Sequence, residues 1–153
     1  MGELVPVLAL PPMSPAAISR VCEIERINLT RPQTTLRYKH DLHAGMYART
    51  MIVPDLAPGE ACLITATLIK VPTLVIFCGE ALAYTGEDET LHLSGCDTIR
   101  AAAGRQQAFL ARSGFRLTMI FPTTAKTVEE AEEEFTDEAE RLASRHTITV
   151  TGG

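Results

Sequence analysis

Seven apolar runs, at 46–53, 61–69, 73–77, 81–84, 90–93, 107–111 and 115–121, follow one another closely through the middle of the chain. Turn chemistry separates them: Pro54-Asp-Leu-Ala-Pro-Gly59, Cys78-Gly79, Thr85-Gly-Glu-Asp, Ser94-Gly-Cys-Asp, Ala103-Gly-Arg and Ser113-Gly114. Glycine reaches positive φ without a Cβ penalty, and Pro, Asp and Ser fix the other corners of such turns. Many short strands parted in this way fold as a two-sheet sandwich or barrel. The pattern predicts a mainly β unit over 44–122.

Different chemistry flanks that unit. Residues 1–43 form an arm, broken early by Pro11, Pro12 and Pro15. Ser14 before Pro15 is an N-cap with proline at the first helical position, which predicts a short helix to about Arg26 with Ile18, Val21 and Cys22 on one face. The stretch 27–42 reads as extended or irregular. Over 123–153 the pattern changes to a helix from about Val128 to Ser144, opened by a Thr127/Glu130 capping box. Val128, Ala131, Phe135, Ala139 and Leu142 make its apolar stripe. Residues 127–140 carry eight acids and no base. That acidic face either stays solvated over the barrel or docks on a basic neighbour. His146 suits a contact at the helix C-terminus, and 146–151 suits a last edge strand.

Composition removes several classes. With 153 residues, 46% of them hydrophobic, the chain can bury a core without staples. A net charge of −5, no Trp and no basic stripe argue against direct nucleic-acid binding. No apolar run approaches a membrane span, and Met1-Gly-Glu-Leu-Val-Pro lacks the basic start of a secretory signal. The expected site of synthesis is a cytoplasm. Cys22, Cys62, Cys78 and Cys96 form no C-x-x-C pair, so they are expected as small buried hydrophobes in a reducing compartment.

The segment from Gly59 to Gly79 has the spacing G-x5-H-x-H-x4-E-x6-G, with both glycines in place and the three ligand positions occupied by Thr65, Thr67 and Pro72. A second frame, G-x5-P-x-G-x2-H-x3-N, starts at Gly95 and places Gln106 at its histidine. Over 44–122 the chain thus resembles the cupin superfamily of jelly-roll barrels. A cupin enzyme converges imidazoles and a carboxylate on one metal. With Thr65, Thr67, Pro72 and Gln106 at those positions, the resemblance implies a barrel without metal, cofactor or catalytic residue. The stretch His40-Asp-Leu-His43-Ala-Gly-Met-Tyr-Ala-Arg49 is similar to small cupin-like proteins of tailed bacteriophages. In those, a His-x-x-Glu-His cluster stands at the places of Ile69, Pro72 and Thr73.

The phage resemblance implies a non-enzymatic virion protein, made in the host cytoplasm. It would decorate a capsid or bridge head–tail or tail-fibre parts through the arm and the acidic helix. Open edge strands predict a homodimer or homotrimer beside other virion partners. Arg49, mid-strand among apolar neighbours, either pairs with an acid across the sheet or anchors a subunit contact, with Phe135 and Leu142 as further interface candidates. The competing expectation is a metal-free cupin enzyme on a sugar nucleotide, or a small-ligand binder. Its base would be His40 or His43 with Asp41, and its acid Tyr47 or Tyr84. His92 is expected to face outward, and Gly104-Arg-Gln to be an ordinary turn.

Overall fold

The computed structural model describes residues 2, 4–86, 89–142 and 145. Its elements run β1 (Leu8–Leu10), α1 (Pro15–Asn28), β2 (Arg37–His43), β3 (Met46–Val53), β4 (Cys62–Thr65), β5 (Thr73–Cys78), β6 (Ala81–Tyr84), β7 (Thr90–Leu93), β8 (Cys96–Ala101), β9 (Ala108–Ala111), β10 (Phe115–Pro122) and α2 (Val128–Phe135), then a 3-10 turn at Ala139–Arg141. The protein is mainly β, as the strand rhythm predicts. One sheet has the order β1-β8-β5-β10-β3-β2 and the other β4-β9-β6-β7. From β3 to β10 the chain distributes its strands between the two sheets in the double Greek-key order of a jelly roll. Inward residues of both sheets, among them Val53, Phe77, Ile99, Phe109 and Phe115, share one core.

Residues 1–43 are woven into the sandwich and do not hang off it. β1 extends the large sheet in parallel beside β8, and β2 extends its other edge beside β3. In β2 the side chains of Tyr38, His40 and Leu42 turn inward between exposed Arg37, Lys39, Asp41 and His43, the alternation of a half-buried edge strand. Ser14 Oγ accepts from Ala17 N at 3.1 Å, the expected N-cap. α1 buries Ala17 and Val21 against Ala108, on the outer face of the small sheet. Cys22 is exposed, against expectation.

Two further expectations are corrected. Cys78 and Cys96 are not free thiols: β5 and β8 place them opposite one another, Cα–Cα 4.1 Å, and they form a disulfide. The acidic helix stops at Phe135 and does not run to Ser144. Thr127 Oγ1 caps its start, accepting from Glu130 N at 3.2 Å. At the other end Thr136 is extended (φ −148°, ψ 148°), and Lys70 N donates to the Phe135 carbonyl at 2.8 Å. That bond takes up the carbonyl and turns the chain. Ala139 and Leu142 still reach the core, through the 3-10 turn. His146 and the strand expected at 146–151 lie outside the described residues. Among the described residues no helix is long and apolar enough to cross a membrane.

The two frame glycines answer different demands. Gly59 has φ 85° with nothing within 4 Å of a Cβ. Gly79 has φ 122°, and a Cβ there would stand 2.7 Å from the Gly114 carbonyl oxygen and 3.1 Å from Phe115 Cα. Gly59→Ala is therefore expected to cost about 1 kcal/mol from backbone strain alone. Gly79→Ala adds a backbone clash and should cost about 3 kcal/mol or more. Urea midpoints at unchanged m-value measure both, and equal losses would show that the close approach at Gly79 relaxes freely.

Candidate functional site: a cavity between the sheets

A cavity of about 660 Å³ opens between the two sheets. Much of its wall is apolar, with Ile64, Val75, Ile99, Phe109, Leu117 and Met119 from both sheets. Leu29, Gln33, Thr34, Thr35 and Arg141 are the exposed part of its lining, so the connection between α1 and β2 forms most of its rim. Polar groups converge on it as well: Arg49, Arg105, Arg141, Glu25, Tyr38 and Gln107, with the hydroxyls of Thr65, Thr67 and Thr73.

Arg105 is the largest fully buried side chain, 1% exposed. Backbone pairing on both sides of it fixes its place. Ile69 N donates to the Arg105 carbonyl at 2.8 Å, and Gly104 N donates to the Ile69 carbonyl at 2.8 Å. The segment read from sequence as an ordinary turn thus turns its guanidinium inward. Nε donates to Gln107 Oε1 at 2.7 Å and Nη1 donates to the Pro11 carbonyl. Among the described residues Nη2 has no partner, and neither has Thr67 Oγ1 on the adjacent segment. No carboxylate pairs with Arg105 among the described residues. Burial pushes its pKa below the usual arginine value. An unpaired buried donor costs about 1–3 kcal/mol, and more when charged.

Arg49 is satisfied in another way. Its Nη1 donates to Glu132 Oε2 at 3.2 Å, and Arg145 Nε donates to Glu132 Oε1 at 2.9 Å. The Glu132 side chain is 3% exposed, so one buried carboxylate serves two guanidiniums. The Arg49 guanidinium also lies over the rings of Tyr38 (5.0 Å) and Phe135 (5.9 Å), a favourable cation–π placement. Beside it, His40 Nδ1 and Tyr47 Oη stand 2.8 Å apart. Burial, with Arg49 second, holds His40 below the usual histidine pKa. Burial raises the Tyr47 hydroxyl. Glu25, the one carboxylate in the cavity wall, accepts from Thr65 Oγ1 at 2.9 Å and from Arg141 Nη2 at 2.8 Å.

The residues singled out by sequence separate cleanly. Thr65 and Thr67 line the cavity. Pro72 is exposed, and Thr73 takes the wall position beside it. Gln106 is buried outside the lining, which its neighbour Gln107 joins instead. Phe135 and Leu142, expected at an interface, are buried within the chain and form part of the cavity wall, so they offer no free surface. Arg49 pairs with an acid, from α2 and not from a neighbouring strand. The His–Asp–Tyr set does not assemble. His40 meets Tyr47, but Tyr47 is fully buried and neither lines the cavity, while Asp41 and His43 are exposed and Tyr84 lies under α1. His92 faces outward, 2.8 Å from Glu80. Among the described residues no three His, Cys, Asp or Glu side chains come together as a metal-ligand set. Sequence reasoning missed Arg105, Gln107, Tyr38 and Glu25. The signal for Tyr38 was present in the alternation of β2.

No family model matches the chain, and no curated protein matches it. Solved structures with a similar backbone are cupin-superfamily proteins. A cupin superfamily protein from Desulfitobacterium hafniense shares 18% identity over 61% of this chain and 82% of its own, with a TM-score of 0.43. A cupin-2 domain containing protein from Shewanella frigidimarina shares 11% over 65% and 91%, TM-score 0.41. Ectoine synthase from P. lautus shares 20% over 69% and 76%, TM-score 0.45. At such identities and overlaps nothing about chemistry transfers.

Removing the shared carboxylate leaves Arg49 buried without a counter-charge. Glu132→Ala is expected to destabilise the fold by about 3–5 kcal/mol, read from denaturant unfolding. A loss below about 1 kcal/mol would place the pair with exposed ion pairs of little consequence. His40 gives a pH signature. Its folded pKa lies below that of the unfolded chain, so the unfolded state binds protons first as pH falls through the ordinary histidine range near 6.5. Its contribution is complete above that range and shrinks as pH falls toward the folded pKa. Thermal unfolding between pH 8 and pH 5 should show this slope, and His40→Gln should flatten it.

Proposed function

We propose that the protein binds a small, largely apolar organic molecule in the cavity between its sheets. The observation that carries this reading is the cavity itself: about 660 Å³, walled by core strands, with a few polar side chains converging on it. Ligand sites are typically of this size and make-up, and interiors otherwise pack with few voids larger than a water molecule. A jelly roll filled for stability alone would close such a space with larger side chains.

The virion role implied by the phage resemblance calls for the arm and the acidic helix as free docking elements. Here β1 and β2 belong to the large sheet, while Ala131, Glu132 and Phe135 of α2 are buried. Glu129, Glu130, Glu133 and Glu134 stay exposed, so that role would rest on the acidic face of α2 and not on a free arm; recovery of the protein in purified particles tests it. An enzyme using His40 and Tyr47 has no support from the cavity, since neither residue lines it.

The neutral fluorophore N-phenyl-1-naphthylamine is expected to bind saturably at one site per chain, with enhanced emission. Leu117→Trp, which places an indole in the space, should abolish that signal while leaving the circular dichroism of the fold unchanged. Binding that survives in folded Leu117→Trp, or no binding by the unaltered protein, would overturn the cavity reading.

A further inference from the structure

We infer that the molecule held in the cavity carries a carboxylate, received by Arg105 and Thr67. The inference rests on the cavity reading and adds the chemistry of the ligand's polar end.

Charge is the first argument. Among the described residues the wall contains three guanidiniums and one carboxylate. The carboxylate, Glu25, is held by Thr65 and Arg141. Arg49 has its counter-charge in Glu132, outside the lining. Arg105 alone is left without an acid among the described residues, although it is more deeply buried than either of the others. Its two protein partners, a Gln side chain and a backbone carbonyl, are neutral. A buried cation with neutral acceptors only is complementary to an anion from outside the chain.

The number of free donors is the second. Nε and one N–H of Nη1 are committed, which leaves Nη2 and the Thr67 hydroxyl as the two buried donor groups with no partner among the described residues. Their segments are tied together by Ala66 N donating to the Gln107 carbonyl at 3.0 Å and Ile69 N donating to the Arg105 carbonyl at 2.8 Å. Two donors on adjoining segments match the two oxygens of a carboxylate. A phosphate dianion brings three oxygens and more charge than one guanidinium balances. The apolar body of the ligand then lies against Ile99, Phe109, Leu117 and Met119.

The test is displacement of bound N-phenyl-1-naphthylamine by three ligands sharing one ring system: 2-naphthoate, 2-naphthalenemethanol and 2-naphthyl phosphate. The unaltered protein is expected to prefer the carboxylate over the alcohol by about tenfold or more, the scale of a hydrogen bond to a charged group. Arg105→Met should erase that preference while the alcohol still binds. Thr67→Val, a smaller change that spares the guanidinium if Arg105→Met does not fold, should reduce the preference several-fold. Equal or tighter binding of the alcohol would show that water alone satisfies Arg105 and would overturn the inference while leaving the cavity reading intact. Tighter binding of the phosphate would overturn the carboxylate assignment. If neither the fluorophore nor any of the three binds, both readings fall together.

Discussion

The carboxylate of Glu132, buried between Arg49 and Arg145, is the interaction on which this sandwich depends most. Arg49 sits on an inward position of β3, where an unpaired guanidinium would be prohibitive. The acidic helix answers it. Thr127 starts that helix, Lys70 N ends it at the Phe135 carbonyl, and the single turn and more between them delivers Glu132 to Arg49. With the charge satisfied, Phe135 stacks on Tyr47 (6.0 Å) and meets Phe121 edge-on (6.1 Å), sealing that end of the sandwich. The wall that Phe135 and Leu142 give the cavity follows from this seal. Most of the acids around Glu132 remain in solvent; one of them is structural.

The cupin-like frame illustrates how turn positions and ligand positions carry separate information. Gly59 and Gly79 occupy positive φ because the backbone must turn there, whatever chemistry lies between them. Thr65 pairs with Ala108 on the face that α1 covers, and Thr67 follows the end of β4, so both reach the cavity from the edge strand of the small sheet and not from its inner face. The Thr65 hydroxyl donates to Glu25, whereas the Thr67 hydroxyl has no partner among the described residues. Pro72 lies exposed just before β5.

The strands that sequence made legible are those with apolar side chains on both faces or clear turns at both ends, as in β3, β6, β7 and β10. Strand β8 was hidden because Asp97 and Arg100 are charged and exposed and Gly95-Cys-Asp reads as a turn. Strand β2 was hidden by its charges, although Tyr38, His40 and Leu42 alternate correctly. The helix end was misplaced because the apolar stripe continues at helical spacing to Leu142, while a tertiary hydrogen bond from Lys70 breaks the helix after Phe135. The cavity was not legible at all. Whether inward Leu, Ile and Val fill a space or line one depends on the separation of two sheets, which no local pattern encodes. Arg105 was hidden for the same reason, as a charged residue in a turn is usually solvated and only the Ile69 bridge turns it inward.

The two buried arginines of the cavity wall show what the arm contributes. Arg49 is neutralised by a carboxylate delivered from the C-terminal side of the chain. Arg105 is held from the N-terminal side, by the Pro11 carbonyl, within a strap secured by Ala102 N donating to Leu10 O and Met13 N donating to Gly104 O, each at 3.0 Å. A strap of this kind fixes the guanidinium's position without cancelling its charge, because a carbonyl supplies a dipole and no net charge. The segment Leu10–Met13 therefore orients a cation that no acid among the described residues reaches. Orientation without neutralisation suits a group that meets a charged partner from elsewhere, whereas Arg49, neutralised on folding, has no such need. That asymmetry gives the cavity a polar end at Arg105 and an apolar body between the sheets.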